Sequence, residues 1–190
     1  MNSVTTRLVP SATKMIRMDH THVLATFHKY RADAAPKTKQ AIANSICIAL
    51  EVHAQLEEEI FYPALQSIDS QVVAKSVPEH DDMRRMISAL RNMEPGSAGY
   101  DDTLMQLMRT VIHHVADEET TLLPEAERGL GPDKLGELGA QMTKRRMELI
   151  KPKVGELARN MIRAMPASTM LVGAGALIAS TYVIRNAIKR

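Results

Sequence analysis

His53 and Glu57 stand four residues apart, and so do His114 and Glu118; a second glutamate, Glu58 or Glu119, follows each pair at once. A proline comes ten positions after each of these histidines, at Pro63 and Pro124. Two more histidines, His20 and His80, sit directly behind an acid, Asp19 or Glu79, and precede the pairs by 33 and 34 residues. The two blocks are offset by 60 or 61 residues throughout. Chance is a poor source for an acid, two histidines, a glutamate and a proline in one register twice. Two similar helix hairpins related by a pseudo-twofold axis produce it directly.

Residues four apart on a helix share a face. Each His-Glu pair can therefore present an imidazole and a carboxylate to one point inside a bundle. His20 and His80 add one imidazole each from the other two helices. Four neutral nitrogens and two carboxylates are more donors than a single divalent ion needs. Two ions bridged by Glu57 and Glu118 use the whole set, and inward glutamates from facing helices are how four-helix bundles hold metal pairs. Imidazole with carboxylate and no thiolate favours iron, with manganese second, over a structural zinc. An ionised carboxylate buried among Leu, Ile and Met costs several kcal/mol or more unless a cation neutralises it. The candidate metal ligands are thus His20, His53, Glu57, His80, His114 and Glu118.

Four long helices must position this set, and the composition supplies them. Met, Ala, Leu, Ile, Glu, Lys, Arg and Gln dominate; there is no Trp and only two Phe. Apolar residues at three- and four-residue steps predict helices over about 12–30, 37–68, 71–93 and 98–128, followed by a more basic fifth to about 165. Pro36, the Pro95-Gly96-Ser97 turn and the Gly129-Gly131-Pro132 cluster punctuate them. Such short links favour antiparallel neighbours. The expected fold is all-α, an up-down-up-down four-helix bundle over 12–130. A basic helical extension over 131–163 and a hydrophobic tail over 164–190 follow it.

The remaining chemistry-bearing residues read as bystanders. His22 lies about 200° around the helix from His20, and Leu24 and Phe27 place His20, not His22, on the apolar side. His28 and His113 read as solvated or outer residues. Glu58, Glu59 and Glu119 point away from the ligands and are expected to form a solvated acidic face, as are Asp81, Asp82, Arg84 and Arg85 among exposed charges. Met83, Met86, Met105 and Met108 read as core packing.

The net charge of +2 hides an asymmetry. From Lys144 onward ten Lys and Arg face only Glu148 and Glu156, whereas residues 1–143 carry fourteen bases and twenty acids. Within the basic stretch, residues 164–184 are 21 uncharged positions. A helix of that length spans about 32 Å, close to the hydrocarbon thickness of a bilayer. The segment is a candidate membrane anchor, and the bases before it would keep the metal domain on the cytoplasmic, inner face. The alternative is a pair of soluble helices packed on the bundle, since Ser, Thr, Gly and Ala make the segment only moderately apolar. The single Cys47 excludes an intramolecular disulfide, and the first fifteen residues lack the apolar core of a secretory signal, so a cytoplasmic address is expected. Nucleic acid is not an expected partner, because the basic stretch has neither interleaved aromatics nor a reading motif. Oligomer formation is left open.

Asp19-His20 with Val23 and Phe27, HAQLEEEIFYPAL at 53–65, Glu79-His80-Asp81 and HVADEETTLLPEA at 114–126 resemble the hemerythrin-like HHE cation-binding domain. The resemblance covers about residues 12–130. It implies two iron ions cycling between Fe2+ and Fe3+ under an oxo or hydroxo bridge. The four histidines would be terminal ligands, with Glu57 and Glu118 as bridges. One departure stands out: oxygen-carrying members have a second histidine four residues after the one on the third helix, where this chain has Arg84. The ion next to His80 would lack one imidazole, leaving its position to water, an exogenous ligand or another side chain. The resemblance therefore implies binding of O2 or a related small oxidant, such as peroxide or nitric oxide. That binding would serve sensing, delivery or detoxification, with peroxidase-, catalase- or oxidase-like turnover as the enzymatic form. The alternatives are iron storage without turnover and a membrane-tethered interaction module with a structural metal.

Overall fold

The computed structural model describes residues 9–66, 68 and 70–165 of the chain. Among them there are helices and turns but no strands: α1 (Ala12–Phe27), α2 (Pro36–Leu56), α3 (Tyr62–Leu65), α4 (Ser70–Arg91), α5 (Tyr100–Asp117), α6 (Leu123–Ile150) and α7 (Val154–Ala164). Wider π-helical turns, Glu57–Phe61 and Glu118–Leu122, join α2 to α3 and α5 to α6 without interrupting the helix. The result is an all-α, up-down-up-down bundle with a C-terminal helical extension. The 164–184 segment lies, apart from its first two residues, outside the described residues.

Local chemistry sets the helix starts. The Ser11 side chain accepts from the Lys14 amide and caps α1. Pro36 opens α2, where a missing N–H leaves no hydrogen bond unmade. The two π turns repeat the repeat: each begins at the glutamate of a His-Glu pair and ends two residues before the proline that follows. A proline inside a helix lacks a donor and crowds the carbonyl four residues back. The helix absorbs this by widening for one turn, a distortion common at functional sites. Pro63 and Pro124 are thus part of the device that carries Glu57 and Glu118.

Two apolar clusters fill the bundle. One joins Ile16, Leu56, Phe61, Leu65, Leu122, Leu123 and Leu138; the other joins Val23, Ile46, Leu50, Met83, Leu104, Leu107 and Met108. Between them lies a layer of buried polar side chains. Met83 and Met108 are core residues as expected, whereas Met105 is 40% exposed, turned outward by its place on α5 one residue beyond Leu104.

The extension begins at the expected break. Gly131, at φ 70°, leaves helical geometry and ends the run that starts at Leu123, and Pro132 then opens a second helical run. That run packs on the first turn of α1. Gly139 makes the approach possible: a Cβ there would lie 2.2 Å from the Pro10 carbonyl oxygen and 2.9 Å from the Ser11 carbonyl carbon. Backbone cannot yield as a side chain can. Gly139→Ala should therefore destabilise the fold by about 1–3 kcal/mol, the usual cost of overpacking. Thermal unfolding would register this as a drop of several degrees, and an unchanged midpoint would mean the extension docks loosely.

Candidate metal centre

All six candidate ligands are buried: His20, His53, Glu57, His80, His114 and Glu118 are each no more than 5% exposed. They form the polar layer between the two apolar clusters. The imidazoles fall into two pairs. His20 and His53 have ring centroids 5.0 Å apart and His80 and His114 4.7 Å apart, whereas His53 lies 6.3 Å from both members of the second pair. Every Nε2 turns toward the two glutamates. His20 Nε2 is 3.2 Å and His114 Nε2 3.5 Å from Glu118 Oε2; His53 Nε2 is 3.2 Å and His80 Nε2 3.3 Å from Glu57 Oε2. Each glutamate thus touches one histidine from each pair, as a bridge between two ions requires.

The donor atoms also lie close enough to share an ion. One group, His53, Glu57, His80 and His114, and another, His20, His53, Glu57 and Glu118, each offer ligand atoms within 4.8 Å of one another. Among the described residues, His20 Nε2, both nitrogens of His53, Glu57 Oε1 and Glu118 Oε2 find no hydrogen bond of acceptable geometry. Buried polar atoms are rarely left so, because each costs about 1–3 kcal/mol. Several orphans converging on one point fit a cation.

The metal-free electrostatics are awkward in the same way. Burial, reinforced by the charge of Glu118, pushes the Glu57 carboxyl well above the usual carboxylate range. Burial also opposes the charge on Glu118, but His20 and the other imidazoles outweigh it and hold that carboxyl down at about 2. His20 works against burial and, through Glu118, Glu57 and Glu119, rises to about 9. Burial brings His53 down to about 4, and it lowers His80. Without metal, Glu118 relies on His20 for its counter-charge while Glu57 is driven toward its neutral form. Two cations would let both glutamates ionise and all four imidazoles stay neutral.

A family model, the Hemerythrin HHE cation binding domain, matches residues 11–126. The chain belongs to this family. A hemerythrin HHE cation binding domain-containing protein from Mycobacterium kansasii has a crystal structure similar to this HHE fold. It superposes with a TM-score of 0.67 at 20% identity, over 82% of this chain and 99% of that one. A protein of Nostoc sp. strain PCC 7120 named DNA nickase is 28% identical over 121 residues, 63% of this chain. The HHE chain spans 34% of that relative's length.

In this HHE domain the outward nitrogens reveal what the second glutamates are for. His20 Nδ1 donates to Glu119 Oε1 at 3.0 Å, His80 Nδ1 to Glu58 Oε1 at 2.9 Å and His114 Nδ1 to Glu79 Oε2 at 2.9 Å. His53 Nδ1 faces Asp19 Oδ2 at a longer 3.6 Å. An ionised carboxylate only accepts, so it holds the proton on Nδ1 and leaves Nε2 bare for a metal. Glu58 and Glu119 therefore do not form the solvated acidic face expected of them: one residue past the buried glutamate, each turns toward the neighbouring helix and a histidine there. Glu59 does lie at the surface, paired with Arg145. Arg84 is not a free surface charge either; it binds Glu58 at 2.5 Å and Asp81 at 2.8 Å.

One residue of the layer has no counterpart in the candidate set. The Tyr62 hydroxyl donates to Glu118 Oε1 at 2.9 Å and lies 3.2 Å from Glu57 Oε2 and 3.5 Å from His80 Nε2. The corresponding residue of the second block, one before Pro124, is Leu123. The break in the repeat was the available signal. His22, His28 and His113 are exposed and take no part in the layer.

Proposed function

We propose that the chain is a non-haem di-iron protein that binds O2 or a related small oxidant, such as peroxide or nitric oxide. The observation that carries this reading is the convergence of four imidazole Nε2 atoms, in two pairs, on two buried carboxylates that each contact both pairs. His20 and His53 would hold one iron, His80 and His114 the other, with Glu57 and Glu118 between them. Iron so held supplies reversible one-electron redox chemistry at two adjacent centres. The protein's share is orientation and exclusion: Glu58, Glu79 and Glu119 fix three of the tautomers, and apolar layers above and below keep bulk water out. Tyr62 supports an oxidant-binding role over plain storage. Its hydroxyl lies 3.5 Å from His80 Nε2 and closer to both glutamates, and offers both a donor oxygen and a proton to whatever binds there.

The test is iron content with an optical spectrum on protein loaded with ferrous ion without air and then oxygenated. About two irons per chain, with near-ultraviolet and visible bands growing on oxidation, supports the proposal. Slow iron uptake and release with no response to oxygen or peroxide turns the reading to storage, and little iron in protein given ample iron overturns it.

A membrane partner is also proposed, on a separate observation. Among the described residues no helix is long and apolar enough to cross a membrane. Yet α7 turns apolar residues outward: Val154, Met161, Ile162 and Met165 are 44–66% exposed along one stripe, with Lys151, Arg159 and Arg163 also exposed. In the sequence the uncharged 164–184 segment follows directly. An apolar face rimmed by bases fits the surface of an anionic bilayer. Flotation of the full chain with phosphatidylglycerol vesicles but not with neutral ones, lost in Ile162→Glu, is expected; equal recovery with and without vesicles would remove the membrane.

A further inference from the structure

The family match ends at residue 126, but the ring of contacts around the metal layer does not. The outer partner of His53 is Asp19, and Asp19 is gripped by a residue of the extension. Arg146, on the second run of α6, binds Asp19 Oδ1 through Nη1 at 2.7 Å and Oδ2 through Nη2. Both oxygens of one carboxylate are thus held in a two-pronged pair, the geometry in which arginine fixes direction as well as charge. Asp19 is 16% and Arg146 25% exposed at their side chains, so the pair is more sheltered than a surface ion pair.

Asp19 differs from the other three outer carboxylates in its need for such a grip. Glu58, Glu79 and Glu119 each hold their histidine at 2.9–3.0 Å; Asp19, with the shorter side chain, reaches His53 only at 3.6 Å. His53 belongs to both groups of potential ligand atoms in the layer and has no hydrogen bond of acceptable geometry at either nitrogen. It is the least restrained of the four imidazoles and the most shared.

We infer that Arg146 is a positioning residue for the metal layer: by fixing Asp19 it fixes His53, so that iron retention depends on the docked C-terminal extension. The inference rests on the di-iron reading above. It makes the extension a working part of the site and gives anything that displaces the extension a handle on iron loading.

The neighbouring residue provides an internal control. Arg145 makes a two-pronged pair of its own, to Glu59 at 2.7 and 3.0 Å, tying the same helix to the same bundle. Glu59 touches no histidine of the layer. If Arg146 merely docks the helix, losing Arg145 should matter as much.

The experiment uses the full chain, loaded anaerobically with ferrous ion, and reads iron per chain after gel filtration and the rate at which a ferrous chelator strips it. Arg146→Ala and Asp19→Asn should release iron about 10–100-fold faster than wild type, the usual effect of losing an outer partner of a metal-bound histidine. Arg146→Lys should recover part of the loss, and Arg145→Ala should behave as wild type. Metal-free melting points check that the variants fold. Should Arg146→Ala shed iron at the wild-type rate, or Arg145→Ala shed it as fast as Arg146→Ala, the positioning role is overturned. Failure of the di-iron reading would look different, because wild type itself would then hold no iron.

Discussion

Glu57→Gln and Glu118→Gln should each strip the protein of iron, yet move the stability of the metal-free chain in opposite directions. Either change keeps the shape of the side chain and removes the negative charge that two cations would share. Leaving buried charges without their partner costs about 3–5 kcal/mol, two to four orders of magnitude in affinity. Both variants should therefore emerge from gel filtration with well under one iron per chain, while His22→Ala, on an exposed ring, keeps about two. The metal-free proteins separate the two glutamates. Burial already drives Glu57 toward its neutral form, so an amide there costs nothing in charge and leaves the melting point equal or higher. Glu118 holds its charge against His20, and an amide there leaves a raised imidazole without its counter-charge and Tyr62 without its charged acceptor. The metal-free melting point of Glu118→Gln should fall. Measuring iron and melting point on the same samples tests the argument. Two irons retained by both variants would remove the bridging role, and equal melting points would remove the asymmetry.

That the residues of the layer work as a set was legible in the sequence because the set is repeated. One His-Glu pair four residues apart is common on helix surfaces; the same pair twice, each led by an acid-histidine doublet and closed by a proline, needs a structural cause. The repeat located all six inward residues, since a period of 3.6 assigns i and i+4 to one face. It did not assign Glu58 and Glu119. One residue further on, a side chain swings about 100° round the helix, which in isolation points it off the site. In a bundle the same swing points it at the next helix, where His80 and His20 present their second nitrogen. Single-helix reasoning cannot see that partner. The Arg146 contact was out of reach for the same reason, separated from Asp19 by 127 residues and by a glycine kink that redirects the chain. The π turns were signalled only indirectly, through Pro63 and Pro124 inside segments that read as continuous helix.

Tyr62→Phe should leave about two irons in place and change the colour of the oxidised protein. The phenol sits within 3.5 Å of His80 Nε2 and closer still to the carboxylates of Glu57 and Glu118. In the metal-free protein burial, reinforced by Glu57 and Glu118, pushes its ionisation far up, so the group is a hydrogen-bond donor there. Iron held by the layer would reverse the balance, since a cation stabilises the deprotonated oxygen. Phenolate bound to ferric iron absorbs in the visible through charge transfer, a band that neither imidazole nor carboxylate provides. Such a band is expected on oxidation of the wild type, and its loss in Tyr62→Phe with iron content held near two. All six candidate ligands other than Tyr62 remain, which is why retention is expected. Exogenous anions should then bind the variant more readily, because the phenol no longer competes for the position. If the spectrum is unchanged, Tyr62 serves only as the hydrogen-bond donor to Glu118. Anion binding would then be no easier in the variant, and the position beside His80 would belong to solvent or to the oxidant itself.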